Sequence, residues 1–367
     1  MRTLLIALMV LHGSIHFLGP AKAFEWAEVS QLQAPITRAA GVLWLLAGLG
    51  FLLAAGLVAF RSNAWWLVGA LAVVASQAAI VGAWSDARFG TLANVLIFLA
   101  VAVGFATTGP TSLRATWRDA VAQARIDAAA AVEPGPGGTE RLPGAVRRYV
   151  DATGAEEGAG VRGFRARWRG RIRATPDDPW MEFVAEQYNT VEPPARFFLM
   201  DATRGGLPVQ AYHEFRDGAA TMVVRLLGVV PLVDVGGPEF TRAETVTLLN
   251  DLALLAPAAL ANPAVRWDDG GERYATARYT VGSHTVSARL EFDGQGLLAD
   301  FVSDDRLRTS ADGTTLVAER WSTPILGYAR FGGRRLMSRA EGRWHPPEGA
   351  FAYVELELLE AEVDPLR

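Results

Sequence analysis

The chain has 367 residues, half of them hydrophobic, with no cysteine and a formal net charge of −4. The absence of cysteine excludes disulfides, thiolate metal sites and thiol catalysis. Residues 1–120 carry seven basic and four acidic side chains, so the remainder holds 28 and 35, a net of −7; a unit of that sign does not hold a polyanion by bulk charge, and no nucleic-acid partner is expected.

In chain order, four apolar stretches come first: Thr3 to Leu18, Ile36 to Phe60, Ala64 to Trp84 and Leu92 to Thr108. Each is near the ~20 residues that a helix needs to cross the hydrocarbon core. The chain thus reads as an all-α transmembrane four-helix bundle (1–110), an amphipathic and Pro/Gly linker (111–141) and a soluble β-rich domain (142–367). Arg2, the first run and the triplet Ala21, Lys22, Ala23 also imitate a cleavable secretory signal, although His12, Ser14 and His16 are unusual inside one. Arg2, Arg61, Arg114 and Arg118 on one side, against Lys22, Arg38 and Arg88 on the other, place the β-rich domain in the cytoplasm of a multi-pass inner-membrane protein. Trp26, Trp44, Trp65, Trp66, Trp84 and Trp117 lie at or near segment ends, as in an aromatic belt. Arg61, Ser62 and Asn63 are too short a link for anything but antiparallel neighbours. The loop from Pro20 to Pro35 has room for a short interfacial helix.

His12 and His16, four residues apart, share one face of the first helix at the spacing of a metal pair, with Asp86 or Glu25 as a third ligand. The competing reading is interhelical hydrogen bonding with Ser76, Gln77 and Asn94. No cofactor motif accompanies them, and none is expected. In the turn from Trp84 to Gly90, an Asp86 to Arg88 ion pair would cap the helix entering at Thr91.

The linker has a helical piece, Leu113 to Ala131, and a flexible break at Pro134, Gly135, Pro136, Gly137 and Gly138. After a short helical pattern near Val146 to Val150 the period changes to two: Arg165, Arg167, Arg169, Arg171 and Arg173 share one face, and Phe164, Ala166, Trp168, Gly170 and Ile172 the other. Strand-like runs follow at 180–188, 196–201, 209–215, 221–226, 273–280, 285–292, 297–303, 315–321, 333–344 and 353–360, about eleven in all. Asp-Gly pairs at 217, 269, 293 and 312 signal hairpins. A helix from Pro238 to Leu255 interrupts the series after the fifth strand. The result is a mainly antiparallel curved sheet or half-open barrel with an inserted helix. The arginine face suits phospholipid headgroups, another anionic ligand or a protein partner. Cross-strand carboxylates from Glu182 and Glu186, or Glu355 and Glu357, explain it equally. No catalytic constellation emerges: His213, placed on the outer sheet face, His284 and His345 are isolated along the chain.

Two blocks, Leu142, Pro143, Val146, Arg147, Arg148, Tyr149 and Met222, Arg225, Leu226, Leu227, Gly228, resemble a family of uncharacterised bacterial proteins known only as a domain of unknown function. The run from Trp84 to Thr91 looks like a turn of the four-helix membrane regions that sometimes precede it. The architecture also resembles the half-open barrel of the outer-membrane lipoprotein localisation carriers. That resemblance implies an apolar cavity for an acyl chain lined by Phe164, Trp168, Phe183, Phe197, Leu199, Tyr212 and Met222, with a filled core as the alternative. A membrane-anchored module that binds lipid or another apolar ligand is the functional expectation, against a metal or redox protein using His12 and His16, or an interaction protein docking through the arginine strand.

Overall fold

The computed structural model describes residues 2–131, 141–154, 161–309 and 316–363; the Pro134 to Gly138 break and the Asp312-Gly313 turn lie outside them. The chain divides into two compact units, residues 1–116 with 227–229, and residues 117–226 with 230–367.

The first unit holds α1 (Arg2–Ile15), α2 (Leu18–Ala23), α3 (Arg38–Ala59), α4 (Trp65–Gly82), α5 (Trp84–Ala87) and α6 (Gly90–Thr108). Four of its helical stretches are long and apolar enough to cross a membrane. Met9, Phe51, Ala72, Val73, Ile97 and Val101 form the interior, while Leu46, Leu53, Leu67, Leu71, Val74, Leu92 and Leu96 point outward. A row of leucines facing outward suits a lipid surround in which packing rather than water exclusion holds helices together. At the α1–α3 crossing a Cβ on Gly48 would lie 2.9 Å from the Gly13 carbonyl oxygen, so only glycine permits this approach. Trp44 is buried against His16 rather than placed in an interfacial belt.

The second unit takes in most of α7 (Leu113–Ala130), then α8 (Gly144–Ala152), α9 (Pro238–Leu255) and sixteen strands. These are β1 (Gly163–Ile172), β2 (Met181–Thr190), β3 (Ala195–Arg204), β4 (Leu207–Arg216), β5 (Ala219–Leu226), β6 (Val230–Gly236), β7 (Val265–Gly270), β8 (Tyr274–Val281), β9 (His284–Phe292), β10 (Leu298–Ser303), β11 (Leu307–Thr309), β12 (Leu316–Ala318), β13 (Trp321–Ser322), β14 (Ile325–Phe331), β15 (Arg334–Trp344) and β16 (Phe351–Val363). Fourteen of them make one antiparallel sheet, ordered 6-5-4-3-2-1-16-15-13-10-9-8-7 with β14 beside β15.

The two edges of this sheet, β6 and β7, are consecutive strands, and the chain passes from one to the other through α9 and a 3-10 turn, Pro257–Ala261. The helix touches β5 and β6 near one edge, β8 and β9 near the other, and β15 between them. A flat sheet of thirteen strands would be roughly 58 Å wide at ~4.8 Å per strand, twice the ~27 Å length of an 18-residue helix. The sheet therefore curls about α9 as a half-open barrel. Pro238 at the first turn and Glu239 beside it start the helix where the dipole favours them. Of its 18 residues 14 are buried, polar ones included, which marks an interior helix rather than a surface one.

The inserted helix follows the sixth strand, not the fifth. Val230 to Gly236 carries no polar alternation and contains Pro231, so nothing local announces β6. The Asp217-Gly218 pair makes a tight β4–β5 hairpin with φ of 52° and 73°, where a non-glycine residue at the second position would be strained. Gly270, by contrast, lies within β7 and pairs with Ala275.

Candidate functional site

Residues opposite each other across an antiparallel ladder share a face. Starting from Phe164, Ala166, Trp168 and Gly170 on β1, the register carries the concave face through Phe183, Ala185, Gln187 and Asn189 on β2 to Arg196, Phe198, Met200 and Ala202 on β3. It continues through Val209, Ala211, His213 and Phe215 on β4 to Met222, Val224 and Leu226 on β5. Phe164, Trp168, Phe183 and Met222 therefore come together under α9. Phe197, Leu199 and Tyr212 do not: they occupy the outer face, where Trp117 of α7 donates its indole N–H to the Phe197 carbonyl at 3.1 Å and Asp127 pairs with Arg216. Trp117 is thus a strand contact and not a belt residue. The run from Phe197 to Met200 is apolar on both faces, so the period of two leaves its parity open.

The same register turns His213 inward, against the sequence expectation, into a buried charged chain. The side chains of Gln187, Asn189 and Arg196 donate to Oδ2 of Asp251 at 2.7, 3.0 and 2.8 Å. Trp168 Nε1 donates to Gln187 Oε1 at 2.9 Å. Arg196 also donates to Nδ1 of His213, whose Nε2 lies 3.2 Å from Glu244 Oε2. Glu244 in turn accepts from Arg306, which also reaches Thr247 Oγ1 at 2.9 Å and lies over the rings of Trp321 and Trp344. The donor on one side and carboxylate on the other assign His213 the neutral tautomer with its proton on Nε2. Two guanidiniums and two carboxylates cancel, so burial leaves no net charge.

Each shift has a nameable cause. Burial lowers His213 to about 4, with Glu244 opposing and Arg196 and Arg306 reinforcing. Burial works against the charge of Glu244, but Arg306, His213 and Arg196 more than offset it and hold the group at about 2. For Asp251 burial wins, and its pKa rises despite Arg196. Glu244 and Asp251 are seven residues apart, two helical turns, and so share one face of α9. They are two of the polar points at which the helix grips the sheet; Thr241 Oγ1, which accepts from the Ala220 amide of β5 at 3.0 Å, is another. Tyr149 of α8 adds a further tie to the helix, donating to the Ala253 carbonyl at 2.7 Å, and accounts for the first sequence block, since Leu142, Val146 and Tyr149 are all buried.

Four of the five outward arginines meet a carboxylate: Arg165 with Glu186, Arg167 with Glu360, Arg169 with Glu357 and Arg171 with Glu355, at 3.4, 2.6, 2.6 and 2.7 Å. Arg173 lies over the Trp180 ring. Exposed pairs of this kind are screened and contribute little to stability.

In the first unit, His16 Nε2 lies 2.8 Å from Ser76 Oγ, and His12 Nε2 lies 3.0 Å from Asn94 Oδ1 and 3.3 Å from Ser76 Oγ. Asn94 continues to Gln77, and Gln77 to Thr91. Among the described residues no three His, Asp or Glu side chains converge as a metal site. Asp86 accepts from the backbone amides of Gln33 and Ala34, at 2.6 and 2.8 Å, instead of capping the next helix. These bonds, with Ser85 and Lys22 adding, hold its carboxyl below the usual range despite some desolvation.

On the outer face of the second unit, a polar cleft of about 480 Å³ is lined by Arg289, Asp300, Asp304, Arg320, Ser322 and His345 among others. Ser322 Oγ and His345 Nε2 lie 2.9 Å apart there, a meeting of residues 23 apart that alternation alone does not reveal. Burial pushes Asp300 up to about 6. Charged walls make this cleft unsuited to an acyl chain.

Residues 135–356 match the model of a group described as "Family of unknown function (DUF6544)". No curated protein matches the chain. Among solved structures, a DUF1329 family protein from Desulfovibrio piger is similar at 11% identity and a TM-score of 0.34, over 64% of this chain and 95% of that one. A putative outer membrane lipoprotein-sorting protein domain from Vibrio parahaemolyticus is similar at 10% identity and 0.35, over 60% and 92%. Likeness of this order assigns neither of them a ligand in common with the chain.

Proposed function

The chain belongs to the DUF6544 family, whose function is unknown, and for this member we propose a membrane-anchored module that takes a lipid or other apolar ligand, such as one acyl chain, between α9 and the concave sheet. One observation carries the reading: the partly covered apolar residues of the concave face gather at the β5–β6 end. Phe164, Trp168 and Phe183 are enclosed, Phe198 and Trp267 are partly covered singly, and Met222, Val224, Leu226 and Val235 are partly covered as a contiguous group while still packing on the same core. An apolar face open at one end and closed by a single helix is a mouth for a chain-like apolar molecule.

The full-length chain is expected to copurify with lipid and, once delipidated, to bind fluorescent fatty acids. Affinity should rise about fourfold per added methylene, the equivalent of ~0.8 kcal/mol per buried CH₂. Met222→Arg at the mouth should weaken binding at least about tenfold, and Thr221→Arg, on the other face of the same strand, should leave it unchanged. A delipidated chain that ignores acyl length would end this proposal.

We also place the β-rich unit on the cytoplasmic side, from the distribution of Arg2, Arg61, Arg114 and Arg118 against Lys22, Arg38 and Arg88. A fluorescent protein fused after Arg367 should then glow and a phosphatase fused there stay inactive. The reverse pattern puts the unit outside.

A further inference from the structure

The β5–β6 hairpin is apolar where water should meet it. From Leu226 to Val233 the chain reads Leu-Leu-Gly-Val-Val-Pro-Leu-Val, with no charge between Arg225 and Asp234. Val229 is 63% exposed, Val230 45% and Leu232 47%. β6 is an edge strand of the sheet and six of its seven residues are exposed, a placement that normally calls for charge rather than valine.

We infer that this hairpin is a bilayer-contacting element, its apolar tip seated among lipid headgroups and upper acyl chains. Three observations favour the bilayer over a protein strand. Pro231 lies in β6, opposite Arg225 beside a register shift, and lacks the N–H that an added strand would need. The tip residues 227–229 belong to the same compact unit as the four apolar helices. Contiguous exposed apolar surface in a chain tethered to a membrane has an apolar phase within reach, and burial there removes it from water. The inference rests on the membrane-anchored reading above and adds to it a location, because Met222, Val224 and Leu226, the partly covered end of the concave face, lie on the strand that leads into this tip. A lipid leaving the bilayer at the hairpin meets the mouth next.

The absence of cysteine makes the test clean, since Val229→Cys carries the only thiol. The full-length variant is labelled with an environment-sensitive nitrobenzoxadiazole dye and placed in phosphatidylcholine–phosphatidylglycerol nanodiscs, with Ser283→Cys, on the β8–β9 turn, as reference. Blue-shifted emission and about threefold stronger quenching by doxyl lipids at Val229 than at Ser283 are expected for a side chain ~5–10 Å into the interface. Emission at Val229 equal to that at Ser283 overturns the inference. So does a blue shift that vanishes on dilution and yields Val229–Val229 cross-linked dimers, which would make a second copy the occupant. Failure of the chain to enter nanodiscs at all would instead strike the membrane-anchored reading itself, and fatty-acid binding that survives a water-exposed tip would overturn the hairpin alone.

Discussion

Replacing Asp251 with leucine is expected to destabilise the β-rich unit by about 3–5 kcal/mol, the cost of stranding a buried charge. The carboxylate is the common acceptor for Gln187, Asn189 and Arg196. Without it the guanidinium of Arg196 remains buried beside His213 with no carboxylate in hydrogen-bond contact, and the Asn189 and Gln187 amides lose a shared buried acceptor. The apolar volume gained by leucine does not offset that loss. The double variant Asp251→Leu with Arg196→Met should recover only the part due to the stranded guanidinium, because the Asn189 and Gln187 amides still lack the Asp251 acceptor and His213 Nδ1 loses its donor. Urea denaturation of the full chain in detergent checks both, and hydrogen exchange over 238–255 locates the effect. Equal stability for the wild type and the single variant would mean that α9 is held by its leucines alone.

Acid should loosen the same helix, and His213 is the first group responsible. Its pKa is near 6.5 when unfolded and about 4 when folded. Between those values the unfolded chain binds a proton that the folded chain refuses, so stability is full above pH 6.5 and falls toward pH 4. The gap is worth about 3 kcal/mol in total, with about 2 kcal/mol lost by pH 5. Glu244, lowered from 4.5 to about 2, extends the loss through the next interval down. Asp251 acts in the opposite sense, since burial raises its pKa and makes the folded chain the better proton binder at that group. The wild type should therefore lose stability relative to His213→Gln between pH 7 and 5, because the variant lacks the imidazole but keeps Asp300, which burial raises to about 6 and which acts in the opposite sense. An identical slope in both proteins would assign the acid sensitivity elsewhere.

The buried chain that sets both expectations was invisible to pattern reading. Arg196 and His213 sit in runs that also contain Phe197, Phe198, Leu199, Tyr212 and Phe215, apolar on both faces, and alternation cannot tell which parity turns inward. Glu244 and Asp251 look like the solvated side of a surface helix until that helix is found to link the two edges of one sheet. A partial signal did exist: Glu244 and Asp251 recur at seven, the same face as Thr241, within a helix otherwise rich in leucine. The arginine strand was easier, because alternation over ten residues fixed its face and carboxylates at matching spacing were already present in the sequence.

By itself the sequence determined what depends on neighbours along the chain. Apolar length gave four membrane-competent helices, period two gave most of the strands, and Pro238 with Pro257 bounded α9 at its observed limits. Tertiary structure alone decided what depends on how strands are set against one another. It added β6 and β7 as the two edges and curled the sheet so that one helix lies across its concave face. It also divided Phe164, Trp168, Phe183 and Met222 from Phe197 and Tyr212. The reason is physical: a strand's side chains alternate strictly, but which half faces inward is chosen by turn length and ladder register. A residue meets a partner 50 or more positions away, as Arg196 meets Asp251, only once those registers are set.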